Sequence, residues 1–223
     1  ALPMALELTG GERKLRASKA YLSGAVELQD LSSQAVVAAL PLQDGMRVLD
    51  HCAGGGGKTL AMAAQAKLKL FAHDAAPRRM ADLPARAARA GIKVTLTERP
   101  EAKAPFDLVL VDAPCSGSGS WRRDPEGKWR LDPPRLEELT RLQAAIPDRA
   151  APMVAKGGWL AYATCSYLRP ENQDQVQGFL ARHPGWSLAS SQLFTPLDHG
   201  DGFFVAILGH RQSQEKTLQP DPS

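Results

Sequence analysis

The sequence predicts an α/β protein built on a mostly parallel, doubly wound sheet, and three observations carry that expectation. Short apolar, β-like runs alternate with longer helical patterns along the chain, the order that places helices on both faces of a parallel sheet. The run "MRVLD" (46–50) leads straight into the glycine turn "DHCAGGGGKT" (50–59), and such sheets hold their ligands at turns of this kind, beyond the carboxyl ends of the strands. A hydrophobic content of 43% in 223 residues is enough for one sizeable core, in one domain rather than two.

The elements follow in order. "LSSQAVVAAL" (31–40) reads as a helix capped by Ser32 or Ser33 and closed near Pro41, and 46–50 as the first buried strand. "KTLAMAAQA" (58–66) is helical, "LKLFAHD" (68–74) a strand, and "PRRMADLPARAARAG" (77–91) a helix broken or bent at Pro84 and stopped by Gly91. Strands are expected at "IKVTLT" (92–97) and "FDLVLVD" (106–112), followed by a polar loop (113–133). Residues 134–158 carry a helical pattern with interruptions at Pro147 and Pro152, before the strand "WLAYATC" (159–165). Pro170 suits the first turn of a helix over 170–183, which Glu171 and Asn172 would begin. "GWSLASSQLF" (185–194) and "GFFVAILG" (202–209) are expected to pair as antiparallel strands at the sheet edge, and the tail 211–223 to be disordered.

Composition excludes several classes. No run approaches the roughly 18 apolar residues of a membrane span, and the first thirty residues, with Glu7, Glu12, Arg13, Lys14 and Arg16, lack the apolar centre of a signal peptide. The expectation is a cytoplasmic monomer without a metal site. Three cysteines are an odd number whose spacing fits neither a disulfide framework nor a zinc pattern, so they read as free thiols. A net charge of +3 permits an anionic partner without demanding one.

All three thiols fall at expected strand ends. A free cysteine is usually a small buried hydrophobe, but Cys52 closing "MRVLDHC", Cys115 in "DAPCSGSG" and Cys165 in "WLAYATCSY" share one edge of the sheet. The glycine turn itself fails as a phosphate-binding P-loop, because residue 52 is cysteine where that motif needs glycine. A dinucleotide fingerprint also fits poorly, since Lys58 and Thr59 occupy its third-glycine region. Asp74, ending the second strand, is suited to accept hydrogen bonds from ribose hydroxyls, or alternatively to cap a helix. Turn and acid together describe a nucleoside-type cofactor.

The ordered set "QDLSSQ" (29–34), "VLDHCAGGGGKT" (48–59), "DAPCSGSGSWRRDPEGKW" (112–129), "YATCSYLRPENQDQV" (162–176) and "DGFFVA" (201–206) resembles the RNA cytosine methyltransferases of the Sun/RsmB (Fmu) type. The resemblance covers about residues 26–208. It implies a Rossmann-like class I fold and transfer of a methyl group from S-adenosylmethionine to carbon 5 of a cytosine in RNA, often ribosomal RNA. It also implies a catalytic domain over 26–210, with 1–25 a remnant or linker. By the same resemblance Cys165 is the nucleophile and Cys115 the release residue. The cofactor falls to the turn Cys52, Ala53, Gly54, Gly55, Gly56, Gly57 and Lys58, together with Asp74, Glu98 and Asp112. The chain departs from the family in having Gly54-Gly55 where Ala-Pro is usual, and in offering only Glu98 for the acid expected after the third strand. Members normally carry further RNA-binding sequence upstream.

Chemistry explains two thiols independently of any name. Carbon 5 of cytosine is too weak a nucleophile to attack a sulfonium methyl until a thiolate adds to carbon 6, and the adduct must later be broken. Asp112 is placed to hydrogen-bond or protonate ring N3, and Lys58 to lower a thiol pKa, unless it is merely a solvated lysine at a helix start. Trp121 and Trp129 among Arg122, Arg123, Lys128 and Arg130 suit stacking and phosphate contact, with Arg78, Arg79, Arg86 and Arg89 extending a basic face. The target base must be single-stranded or flipped. Two competing readings are a catalytically silent RNA-binding or ribosome-assembly module with the same fold, and a nucleotide hydrolase, which the missing glycine disfavours.

Overall fold

The computed structural model describes residues 2, 5–198 and 200–210. Seven strands form one sheet: β1 (Arg47–Asp50), β2 (Lys69–Ala72), β3 (Val94–Leu96), β4 (Phe106–Asp112), β5 (Val154–Thr164), β6 (Trp186–Phe194) and β7 (Phe203–His210). Their order is β3-β2-β1-β4-β5-β7-β6. The first five run parallel, and β7 enters antiparallel between β5 and β6. The helices are α1 (Glu12–Leu15), α2 (Lys19–Leu22), α3 (Leu31–Ala38), α4 (Gly57–Gln65), α5 (Leu83–Arg89), α6 (Pro125–Arg130), α7 (Pro133–Ala150) and α8 (Gln173–Arg182).

Alternation along the central strands divides the core. Leu49, Val109, Val111, Leu160, Tyr162 and Phe204 point to one face, where Ala150 of α7 and Val176 and Phe179 of α8 cover them. Val48, Leu108, Leu110, Ala161, Ala163 and Val205 point to the other, against Val36 and Val37 of α3 and Met62 of α4. Because both faces are covered, β4 is buried at Leu108 through Val111 without a break, which is why its sequence reads as a continuous apolar run.

Several elements differ from the expectation. The cap of α3 is Asp30, whose carboxylate accepts the N–H groups of Ser32 (2.9 Å) and Ser33 (3.4 Å). The stretch 77–91 divides before Pro84, into a 3₁₀ turn Pro77–Met80 and then α5, where Pro84 sits in the first turn and its missing N–H costs nothing. Pro147 lies inside α7 without ending it, whereas Pro152 falls in the 3₁₀ turn Ala151–Met153 that does. β5 then starts at Val154 rather than Trp159, its register with β4 irregular between Phe106 and Leu108. Pro170 belongs to a 3₁₀ turn, Arg169–Glu171, ahead of α8. The last two strands are antiparallel, as expected. Residues 211–223 lie outside the described residues. Among the described residues no helix is long and apolar enough to cross a membrane.

Candidate active site

Three neighbouring strands end together. The register Asp50↔Leu110 between β1 and β4, and Asp112↔Ala163 between β4 and β5, brings the segments that follow them to one edge of the sheet. A cleft of about 510 Å³ opens there. Its walls include Asp50, the turn residues Cys52, Ala53, Gly54, Gly55, Gly57 and Lys58, then Asp112 and Cys115 after β4, Cys165 after β5 and Phe203 of β7.

The glycine turn is built by constraints of two kinds. Gly54 (φ 49°) and Gly56 (φ 79°) both have left-handed backbones. Gly56 caps α4, and a Cβ there would stand 2.2 Å from Cδ1 of Leu83, so this glycine answers to packing against α5 and does not line the cleft. The Gly54 N–H donates to Oδ2 of Asp74 at 3.0 Å, while Oδ1 accepts the Ala76 N–H at 2.9 Å and the Arg79 guanidinium lies 3.4 Å away. Asp74 is buried and its carboxylate pins the turn; it is not part of the cleft wall. Glu98 is exposed in the bend after β3, also outside the cleft wall.

Asp50, Gln29, Ser33 and Arg135 also line the cleft, although the sequence offered none of them as a site residue. For Asp50 a signal existed, an acid ending the first strand directly before the turn. Thr59 Oγ1 donates to its Oδ2 at 2.6 Å, Oδ1 is buried with no protein partner, and burial pushes its pKa up to about 7.

Lys58 and Asp112 form a 2.7 Å ion pair at the cleft floor, with the ammonium 4.8 Å from the Phe203 ring. Burial opposes the charge on Lys58, but Asp112 outweighs it and the net shift of the lysine is upward. The Sγ atoms of Cys115 and Cys165 are 3.3 Å apart. The hydrogen bond with Cys115 holds the Cys165 thiol below its usual range against the opposing effects of burial and Asp112, with Lys58 assisting. Cys115 moves the other way, raised by that same hydrogen bond and by burial. Cys52 is raised by burial, which leaves it an unreactive thiol.

Two glycines weld the neighbouring loops. The Gly119 N–H donates to the Cys165 carbonyl (3.0 Å), the Gly202 N–H donates to the Gly119 carbonyl (2.9 Å), and a Cβ on Gly119 would meet the Gly202 oxygen at 2.0 Å. Buried Asp201 accepts from Arg123 Nε at 2.7 Å and from Arg122 at 3.3 Å, so "DGFF" anchors the basic loop beside Cys115. Trp129 is 83% exposed, with the Lys128 ammonium 5.6 Å from its ring. Arg86 and Arg89, expected on the basic face, instead pair with Glu27.

A sheet of this order, a glycine turn after its first strand and a ligand cleft across the strand ends define a Rossmann-like domain of the class I methyltransferase type. The sequence matches the family described as 16S rRNA methyltransferase RsmB/F over residues 37–217. The ribosomal RNA small subunit methyltransferase B of Salmonella arizonae is 37% identical over 205 residues, which is 84% of this chain and 48% of that protein. The crystal structure of PH0851 is similar at a TM-score of 0.82 and 32% identity, over 86% of this chain and 49% of that one. That of NSun6 from Pyrococcus horikoshii with SFG is similar at 0.78 and 27%, over 88% and 56%. The chain belongs to the RsmB/F methyltransferase family. It spans about half the length of the curated relatives it matches.

Proposed function

We propose that this chain, with residues 26–210 as its catalytic unit, transfers a methyl group from S-adenosylmethionine to carbon 5 of a cytosine in ribosomal RNA. The observation that carries the reading is the pair of thiols 3.3 Å apart in the cleft, shifted in opposite directions.

The cleft suits the cofactor: its volume of about 510 Å³ lies within the roughly 300–1,000 Å³ of small-molecule sites, and Asp50 offers a buried acceptor atom with no protein partner. Backbone of Cys52 to Gly55 and the side chains of Asp50 and Lys58 would hold it. When bound it supplies an electrophilic methyl group.

Cys165, the thiol that ionises more readily, adds through sulfur to carbon 6 of the base, and the carbon 5–carbon 6 electron pair moves toward carbon 5. The Lys58 ammonium, which donates to Asp112 Oδ2 at 2.7 Å, passes a proton through that carboxylate to ring N3 as the charge develops. After carbon 5 has gained the methyl group it loses its proton to a base. The carbon 6–sulfur bond then breaks, its electron pair returning to Cys165. The Cys115 thiol, 3.3 Å from that sulfur, donates a hydrogen bond to it as it leaves. In the loop that follows Cys115, Trp129 offers an exposed ring, and Arg122 and Arg123, anchored by Asp201 but with 68% and 57% of their side chains exposed, keep N–H groups for phosphate, which suits a single-stranded or flipped nucleotide.

Calorimetry with S-adenosylmethionine against ATP, followed by methyl-group transfer to 16S ribosomal RNA and mapping of the product, tests this. Binding of S-adenosylmethionine alone and a 5-methylcytosine product are expected. ATP binding in its place would point to a nucleotide hydrolase, and cofactor-free RNA binding to a silent module.

A further inference from the structure

Behind the two thiols lies a buried carboxylate that the chemistry above does not use. Glu171 is fully buried at the end of the turn Arg169–Glu171, one position before the residue that starts α8's cap. Its Oε1 accepts the Ser116 N–H at 2.7 Å and Gln143 Nε2 at 3.0 Å, and its Oε2 accepts the hydroxyls of Ser116 and Ser166. Ser116 follows Cys115 in the chain, and Ser166 follows Cys165. One carboxylate therefore joins the two loops that carry the thiols. The link is braced from both sides: Ser166 Oγ lies 2.9 Å from Ser118 Oγ and accepts the Leu168 N–H at 3.0 Å, while the Glu171 carbonyl accepts the Tyr162 hydroxyl at 2.7 Å.

A buried carboxylate is costly unless its oxygens are satisfied, and these meet four donors. We propose that Glu171 is a positioning residue that clamps the Cys115 and Cys165 loops together and so sets the contact between the two thiols, a role that rests on reading them as the reacting pair. Its negative charge is also among the influences that keep Cys115 protonated, so the clamp favours the assignment of attack to Cys165.

The donor set makes the carboxylate hard to replace. An amide of the same shape keeps its oxygen toward the Ser116 N–H and Gln143 and turns its NH₂ toward the hydroxyls of Ser116 and Ser166, which must rotate to accept, so four charge-assisted hydrogen bonds become neutral ones. The Ser116 N–H cannot reverse, and Gln143 can reverse only by facing its own oxygen toward the Pro114 carbonyl, to which its Nε2 now donates at 2.8 Å. Glu171→Gln therefore loosens the joint while preserving volume.

The test labels the chain with limiting iodoacetamide, without RNA or cofactor, and compares alkylation at Cys115 and Cys165 by mass spectrometry across pH. Wild type should label Cys165 preferentially, by about tenfold or more, as the thiolate is the reacting form. In folded Glu171→Gln that preference should fall to about threefold or less and the pH midpoint of Cys165 labelling should rise. Catalytic turnover should fall while affinity for S-adenosylmethionine holds. Wild-type preference and midpoint in folded Glu171→Gln would overturn the clamp. Should that variant not fold, Ser166→Ala, which removes one donor and keeps the carboxylate, is expected to lower the preference, and an unchanged preference would overturn the proposal equally. The labelling needs no substrate, so its outcome is independent of whether methyl transfer to RNA is demonstrated.

Discussion

Gly55 and Gly56 stand side by side in the glycine turn yet meet different surroundings. A Cβ on Gly56 would collide with Leu83 in a small core cluster and would sit on a backbone at φ 79°; one on Gly55 would meet only the tip of Arg86, at 3.3 Å. Gly56→Ala should therefore destabilise the fold by about 2–4 kcal/mol, combining left-handed strain with overpacking. Gly55→Ala should change stability by about 0.5 kcal/mol or less. Urea unfolding of both variants checks this, and equal losses would mean that the turn is held by something other than the Leu83 contact. The run of four glycines is plain in the sequence, and so is their placement before a helix. That one of them faces inward is not, because the partner, Leu83, lies 27 residues further on in a different helix. Glu171 was hidden for a related reason: "RPEN" reads locally as the start of a helix, and only the folded chain brings Ser116 to it across 55 residues.

At the level of elements, the carboxyl ends of β1 and β2 meet through two imidazoles. His51 and His73 stack with centroids 5.0 Å apart, and Nδ1 of His51 is buried with no protein partner. Burial, with His73 as the next cause, pushes the His51 pKa down to about 4. A depressed pKa means that the folded state takes up its proton less readily than the unfolded chain. The stability tied to His51 is thus complete above the ordinary value of 6.5 and is lost as pH falls toward about 4. His51→Leu should shrink the acid-linked loss of stability between pH 7 and pH 4.5 by about 1–2 kcal/mol, allowing for partial exposure. Parallel pH dependences in urea unfolding would show that the imidazole is not strained toward neutrality. The alternation of strands and helices was legible because periodicity is local. The element ends were less so: Asp30 displaced Ser32 and Ser33 as a cap, since its carboxylate reaches both N–H groups. Pro147 stayed helical because its buried place in α7 outweighs the hydrogen bond it forgoes.

For the whole molecule, the parallel sheet is the device that brings distant sequence to one place. Cys52, Cys115 and Cys165 are 50 or more residues apart, and strands β1, β4 and β5 deliver all three to the same edge. Packing then separates their chemistry: Cys52 is silenced by burial, while the other pair is held in contact beside an ion pair at the cleft floor. The central claim is the division of labour within that pair. It is tested by mixing Cys165→Ala and Cys115→Ala separately with 16S ribosomal RNA and S-adenosylmethionine, then resolving the products on a denaturing gel. Cys165→Ala should give neither methylated RNA nor a covalent adduct. Cys115→Ala should form the thioether, accept the methyl group and stall, leaving protein joined to RNA as a slowly migrating band. An adduct that accumulates with Cys165→Ala instead would contradict the assignment of attack to Cys165.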